Sequence, residues 1–409
     1  MNALTQTPRS ATRGDTPRPL RVLHLIDSLG MGGAETWLME LLRYWRANRA
    51  PVETHFLATG GRPAEFDDEA RALGARIHYL RYGRRDLPTF AVGFRRLLQA
   101  GRYDALHDHQ DYASGWHYLI GLGALPPVRV THVHNPAYQI RENYGVTPGR
   151  RLTAQAGKRL AARYATHIAG TSRAALTAFG FDAPAFSATP RAALYCGFDL
   201  GRFLATDKTR RGVREEFGWP QGAAVVLFAG RFDVSPDLGH ARNHKNSGFA
   251  VDVAIEAARR SDTVRFVFAG PFSAATPVLR QRVEAAGLAE RIVFAGLRRD
   301  IGRLMGGADA LLFPSRGEGL GLVAVEAQAA GLPVLASTEV PRECVVVPEL
   351  VRFESLDDGV AAWAGNLLRL LDDPRFDPLL ANAGVAASPF SIAHSAAALE
   401  RLYRNGVLA

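Results

Sequence analysis

Glu318 and Glu326 stand eight positions apart in the run Phe313–Ser337, FPSRGEGLGLVAVEAQAAGLPVLAS, with Gly319 and Gly321 between them. Glycines at the start of an apolar, helix-patterned stretch let a ligand approach the backbone closely. A helix N-terminus adds unpaired amides and the positive end of a dipole, which suits a phosphate. Glu326, about one turn inside the helix, is placed to accept hydrogen bonds from a diol such as a ribose. Glu318, in the preceding loop, is placed to face a reacting sugar. Gly331 and then Pro333 stop the helix.

Two cations join this group. Arg231 ends the apolar run Phe228-Ala229-Gly230, and Lys245 with Asn246 opens the next helix. Fixed cations offset the charge that builds on a diphosphate as its bond breaks, in place of a metal. Further candidates lie where strands end, the usual place for ligands in α/β sheets. These are Gly32-Gly33, the segment Thr131-His132-Val133-His134-Asn135, the pair His107 and His109, and Gly296–Asp300 with Arg298.

The elements that must carry these residues alternate. Strand patterns fall at Arg21–Ile26, Thr54–Ala58, Arg76–Leu80, Ala105–His107 and Val128–His132, with helical spacing at Ala34–Trp45, Pro63–Leu73 and Phe90–Ala100. A second series follows. Its strands are Ala223–Ala229, Val264–Ala269, Ile292–Ala295, Ala310–Phe313 and Pro333–Ser337, and its helices are Ser247–Arg260, Pro277–Ala286 and Leu322–Ala330. Strands alternating with helices predict right-handed βαβ units on parallel sheets. The expected fold is therefore α/β, with two Rossmann-like, doubly wound domains facing a central cleft. A disordered lead (1–19) precedes a first domain over 20–195 and a second over 196–387. The amphipathic helix Ile392–Arg404, within 388–409, is expected to cross back onto the first domain.

With those residues in place, Glu318-Gly-Leu-Gly-Leu-Val-Ala-Val-Glu326 resembles the Glu-x7-Glu motif of family 4 (group 1) retaining glycosyltransferases, which have the GT-B fold. Gly-Arg231 with Lys245 resembles that family's diphosphate-holding pair, and Gly32-Gly33-Ala34-Glu35 its N-terminal glycine turn. Thr131–Asn135 resembles its Thr-x-His-Asp segment, with Asn135 standing for the usual Asp. The resemblance implies a donor site of Gly32, Gly33, Arg231, Lys245, Arg298, Glu318, Gly319, Leu320, Gly321, Leu322 and Glu326. It implies catalytic roles for His134, Glu318, Arg231 and Lys245, and acceptor-side places for His107 and His109. Gly170-Thr171-Ser172 resembles the end of the first domain's last strand. The loop Phe232–His244 is longer than the family pattern. Its Asp233, Asp237, His240 and His244 are read as loop residues, and no metal site is expected.

The bulk properties agree. The chain of 409 residues suits two domains, and its 47% hydrophobic and 22% charged content is globular. A net charge of +9 points to an anionic partner. No dense basic arm or RNA-binding signature interleaves with aromatics, so nucleic acid is not expected. The two cysteines, Cys196 and Cys344, exclude a disulfide framework and a cysteine-rich zinc site. No signal-type h-region or bilayer-length apolar run is present, which suggests a cytoplasmic protein. The basic stretch Gly149–Tyr164, with Arg150, Arg151, Lys158, Arg159 and Arg163, is a candidate peripheral contact with an anionic membrane.

The expected activity is metal-independent transfer of a hexose-type sugar from a nucleoside diphosphate sugar (UDP or GDP) to a hydroxyl of a glycan or lipid-linked glycan, with no bound cofactor. Two alternatives stay open: a catalytically degenerate nucleotide- or glycan-binding protein of the same fold, and an NAD(P)-dependent oxidoreductase. Against the oxidoreductase, Ser28–Gly33 lacks the full G-x-G-x-x-G spacing.

Overall fold

The computed structural model describes residues 18–135, 139–141, 147–240 and 242–408. Among them, seven strands make one parallel sheet: β1 (Leu20–Ile26), β2 (Val52–Ala58), β3 (Arg76–Tyr79), β4 (Ala105–Asp108), β5 (Val128–Val133), β6 (His167–Gly170) and β7 (Arg191–Ala193). Six make another: β8 (Ala224–Ala229), β9 (Val264–Ala269), β10 (Ile292–Gly296), β11 (Ala310–Phe313), β12 (Val334–Ser337) and β13 (Val351–Glu354). The spatial orders are β3-β2-β1-β4-β5-β6-β7 and β10-β9-β8-β11-β12-β13. Each sheet is thus wound outwards in both directions from its first strand. Helices cover both faces of each sheet, which is why the central strands read as continuous apolar runs and not as alternations. Each sheet has a core cluster on either side.

Most strand patterns fall within a residue or two of their expected ends, while three readings are corrected. The helix expected over Pro63–Leu73 is only Asp67–Ala72. Phe66 N donates to Leu29 O at 3.0 Å, so the preceding residues are tied to the loop after β1 instead of coiling. The strand ending at Gly170 is not the last of its sheet, because β7 pairs alongside it. Arg-Ala-Ala is too short and too polar to announce itself. β13, Val-Arg-Phe-Glu, escaped the pattern for the same reason. Of the lead, residues 1–17 lie outside the described residues, whereas Arg18 already holds Asp104, with Nη1 to Oδ2 at 3.2 Å.

The chain crosses between the two halves twice, side by side. Phe198 N donates to Phe390 O and Ile392 N donates to Phe198 O, each at 3.0 Å. The helix Ile392–Asn405 then lies on the first half against the helix Gly33–Ala47. It buries Ala396, Leu399, Leu402 and Tyr403 in the core beside β1. Its polar edge is fixed by Trp37 Nε1 to Ser395 Oγ at 2.9 Å and Trp45 Nε1 to Glu400 Oε1 at 3.0 Å. The expected return of the last helix is therefore seen, with indole N–H groups as its anchors.

Candidate functional site

In a doubly wound sheet the strands on either side of the reversal point leave a crevice at their C-terminal ends. Here those strands are β1 and β4 in one sheet and β8 and β11 in the other. All four carry the expected residues just beyond their ends. A cleft of about 1140 Å³ runs between the halves, lined by Gly32 and Gly33 on one side and by Arg231, Lys245, Arg298 and Glu326 on the other.

Three helix N-termini serve this region: Gly33–Ala47, Ser247–Arg260 and Leu322–Ala329. None has a side-chain cap; their N-cap residues are Gly32, Asn246 and Gly321. At Gly33–Ala47 and Leu322–Ala329 the first-turn amides therefore stay available to an anion, as the dipole favours, whereas at Ser247–Arg260 the Gly248 amide is held by Asp233. Gly321 has φ +86°, a left-handed turn that a side chain would strain. Gly319 is required for a different reason: a Cβ there would lie 2.3 Å from the His134 carbonyl oxygen. Ser172 Oγ also donates to Gly319 O, so this loop of the second half seats directly on the first. Leu320 is buried and Leu322 half-buried in packing, so what they can offer a ligand is backbone.

Lys245 Nζ donates to Glu318 Oε1 at 2.7 Å, and Ser315 Oγ reaches the same oxygen at 2.7 Å. Lys245 also lies over the Phe313 ring, 5.6 Å from its centroid. The long loop does not displace this lysine. Buried Asn243 folds the loop around itself, donating to Ser235 O at 3.0 Å and Asp237 O at 2.8 Å. Arg316 N then donates to His244 O at 2.7 Å, and Asn246 Nδ2 to Pro314 O at 3.1 Å. The loop after β8 is in this way stitched to the loop after β11. Asp233, in the same loop, is buried and accepts from Gly248 N at 3.1 Å, a structural use.

Glu326 is half-buried at the cleft wall with no protein hydrogen bond among the described residues. Burial pushes its carboxyl up to about 7; Arg202 and Lys245 pull the other way, and Glu40 adds to the rise. Arg231 is exposed in the cleft. Arg298 is occupied. Its Nε and Nη2 each meet Asp300 at 2.8 Å, and Nη1 meets Glu216 at 2.6 Å. The guanidinium is thus shared between its own loop and the end of the helix Asp207–Glu216, while Leu297, Arg298 and Arg299 line the cleft.

On the first half, His134 is half-buried and adjoins the Glu318 loop through the Gly319 contact. Asn135 Nδ2 donates to buried Asp111 at 2.7 Å. His132 and His107 are fully buried. The acceptor-side reading of His107 is corrected: it is enclosed in the sheet, with Nδ1 2.6 Å from the Tyr403 hydroxyl and Nε2 3.1 Å from His132 Nδ1. His109, 8% exposed, is wedged between His24 and His134, so it too lies behind the wall. Among the described residues, the groups spaced to hold a metal are His24–His107–His109 and His109–His132–His134, each with ligand atoms within 4.8 Å.

Sequence reasoning missed Arg202, whose Nη1 meets Glu40 at the cleft, with Arg43 Nη1 on the same Glu40 oxygen at 2.8 Å. It also missed Glu343. That carboxylate accepts from Arg173 N at 2.9 Å, Ala174 N at 3.0 Å and Tyr195 Oη at 2.8 Å, bridging the halves. No local pattern marks either one, because their partners lie more than a hundred residues away in the chain.

Two family models match, one on each half: Glycosyltransferase Family 4 over residues 31–201 and Glycosyl transferases group 1 over residues 223–373. The chain is 29% identical over 367 residues to EpsF of Bacillus subtilis (strain 168), a protein named as a glycosyltransferase, covering 85% of this chain and 87% of that one. It is 28% identical over 345 residues to the D-inositol 3-phosphate glycosyltransferase of Mycobacterium bovis (strain BCG / Pasteur 1173P2), covering 79% and 67%. Among solved structures, HepE of Anabaena in complex with UDP superposes with a TM-score of 0.71 at 18% identity, over 94% of this chain and 98% of that one.

Proposed function

We propose that this chain, which belongs to the family 4 (group 1) glycosyltransferases of GT-B fold, moves a hexose-type sugar from a nucleoside diphosphate sugar to a glycan hydroxyl with retention of configuration. The observation that carries the reading is the constellation around one uncapped helix N-terminus. Glu318 is paired to Lys245 on one side of it, and Glu326 stands unpaired in the cleft on the other. A donor diphosphate placed on those amides meets Arg231 and displaces Glu318 as the partner of Lys245. Glu318 is then released to hold sugar hydroxyls, while Glu326 accepts from the ribose diol. His134 faces the sugar from the first half.

In the step itself the bond from C1 to the phosphate oxygen breaks and the electron pair leaves with the diphosphate. Arg231, Lys245 and the amides from Gly319 to Leu322 stabilise that charge. The acceptor oxygen bonds C1 from the same face, and its proton passes to the departing phosphate oxygen. No residue need become covalently attached, and these cations fill the role that a metal fills elsewhere.

HepE, in complex with UDP-glucose, supports uracil as the base and a hexose as the sugar. GDP-sugars remain the second choice. The acceptor class, a glycan or lipid-linked glycan, is supported by the basic surface. The helix Pro148–Tyr164 exposes Leu152, Arg159 and Arg163 on one stripe, as a peripheral membrane contact requires, while Arg150 is exposed at its first turn in line with the buried stripe of Ala154, Gly157 and Ala161. Lys158 does not belong to that face: its Nζ donates to Gly180 O at 2.6 Å and lies over Phe186. Among the described residues no helix is long and apolar enough to cross a membrane.

The test is thermal shift against UDP, GDP, NAD and their sugar derivatives, repeated on Glu326→Ala. At a hundred times its dissociation constant a ligand adds about 2.7 kcal/mol. A UDP- or GDP-sugar that stabilises the wild type and loses most of its effect in the variant supports the reading. A shift with NAD alone overturns it, and binding without any donor hydrolysis or transfer identifies a degenerate binding protein.

A further inference from the structure

Behind His134 the central strands of the first sheet carry histidines one behind another. His24 is on β1, His107 on β4 and His132 on β5; His109 and His134 follow just past the ends of β4 and β5. His107 stacks on His109 at 4.2 Å between centroids, and His132 packs against His134 at 4.0 Å with the rings tilted by 35°. The Trp37 ring stands edge-on to His132 at 5.5 Å. Histidines are uncommon occupants of central parallel strands, and packing alone asks for none of them.

Their hydrogen bonds have a direction. His134 Nε2 lies 2.9 Å from His109 Nδ1, and His109 Nε2 lies 3.0 Å from His24 Nδ1. His24 Nε2 is buried with no partner. Burial keeps the rings neutral, pushing His24 down to about 3 and His134 to about 4, and His109 well below its ordinary value. Three neutral rings hold three protons. Two occupy the two bonds, and the third sits at one end of the string, on His24 Nε2 or on His134 Nδ1. A buried N–H with no acceptor is the rarer and costlier arrangement. The proton therefore belongs at the His134 end.

We propose that His24 and His109 are positioning residues that hold His134 as the Nδ1–H tautomer, making it a hydrogen-bond donor toward the bound sugar. In water the Nε2–H form of histidine is the commoner one, so the string would reverse the intrinsic preference. His109 Nδ1–H occupies the His134 Nε2 lone pair, and Nδ1–H is the one polar group the ring has left to offer. A donor there suits a sugar hydroxyl or the ring oxygen as acceptor, and it cannot act as a base. The inference rests on the transferase reading for its ligand, though not for its geometry.

The experiment is nitrogen NMR of the full chain labelled with 15N-histidine, with His134 assigned by His134→Gln, alongside kinetics of His109→Leu and His109→Asn. Wild-type His134 is expected as Nδ1–H, reverting to a mixture in His109→Leu. That variant should lose about tenfold in kcat with nucleotide affinity unchanged, and His109→Asn, which restores an N–H near the Nδ1 position, should recover most of the loss. Nε2–H on wild-type His134 overturns the proposal. So does stoichiometric metal in the untagged protein, since the same nitrogens lie within 4.8 Å of one another. Equal losses in both variants with the wild-type tautomer kept would also overturn it. If no sugar nucleotide is a substrate, the functional reading fails while the tautomer measurement stands by itself.

Discussion

At the scale of single residues, Glu326 is a cleft carboxylate whose surroundings differ sharply from water. Its carboxyl is raised from an ordinary 4.5 to about 7, mainly by burial. The folded chain thus binds a proton there that the unfolded chain has released between those two values. Stability falls as pH rises through that window. Glu326→Gln removes the cost of an ionised, half-buried carboxylate. It should melt above wild type at pH 8, with the gap closing toward pH 5, in thermal denaturation without ligand. The same variant should weaken nucleotide-sugar binding by about tenfold, for one lost charge-assisted hydrogen bond. A variant that binds as well as wild type would remove Glu326 from the ribose. Glu318, Glu326, Arg231 and Lys245 were legible in the sequence because glycines and helix punctuation fix their places locally. Arg202 and Glu40 were not, since only the closed fold brings them to the cleft, nor was Glu343, which only the closed fold sets against Arg173 and Tyr195. His107 misled for the opposite reason: a strand end looked like a ligand site, while the side chain points into the sheet and meets Tyr403.

At the scale of elements, the cleft helices that begin at Gly33 and Leu322 lack side-chain caps, whereas helices elsewhere often have one. Thr206 closes a capping box on Asp207–Glu216, and Ser391 caps Ile392–Asn405. The short helix Arg173–Ala178 is capped twice. Ser172 Oγ accepts from Ala175 N at 2.9 Å, and Glu343 from the opposite half accepts from Arg173 N and Ala174 N. Glu343→Ala should cost about 1 kcal/mol, as cap losses do. Hydrogen exchange should quicken at residues 173–178 and in the loop that carries Gly319. Protection unchanged in both places would show that the carboxylate holds neither. Strand and helix types were legible wherever apolar periodicity ran long. β7 and β13 were not, because three- and four-residue edge strands bury little.

At the scale of the whole molecule, the two halves are joined by strands of chain lying side by side at Phe198 and Ser391. The last helix completes the core of the first half. Leu399, Leu402 and Tyr403 are each no more than 2% exposed. Removing them forfeits roughly 6 kcal/mol of burial, at about 2 kcal/mol per large side chain, comparable to the whole stability of many domains. A chain ending at Ser388 should lose the near-ultraviolet dichroism of Trp37 and Trp45, and a peptide of residues 389–409 added in excess should restore part of it. A truncated chain that melts like wild type would mean the first half is complete without its helix.

That returning helix also sets an order of assembly. Domains made first on the ribosome usually fold first, yet here the half that emerges early leaves one side of β1 only partly covered, by the helix Gly33–Ala47, until residue 405 is synthesised. The second half, finished earlier in this sense, matures while its neighbour waits. The wall of the cleft that carries Arg231, Lys245 and Glu326 would then exist before the wall that carries Gly32 and Gly33, and the cleft would be complete only after the helix Ile392–Asn405 had docked.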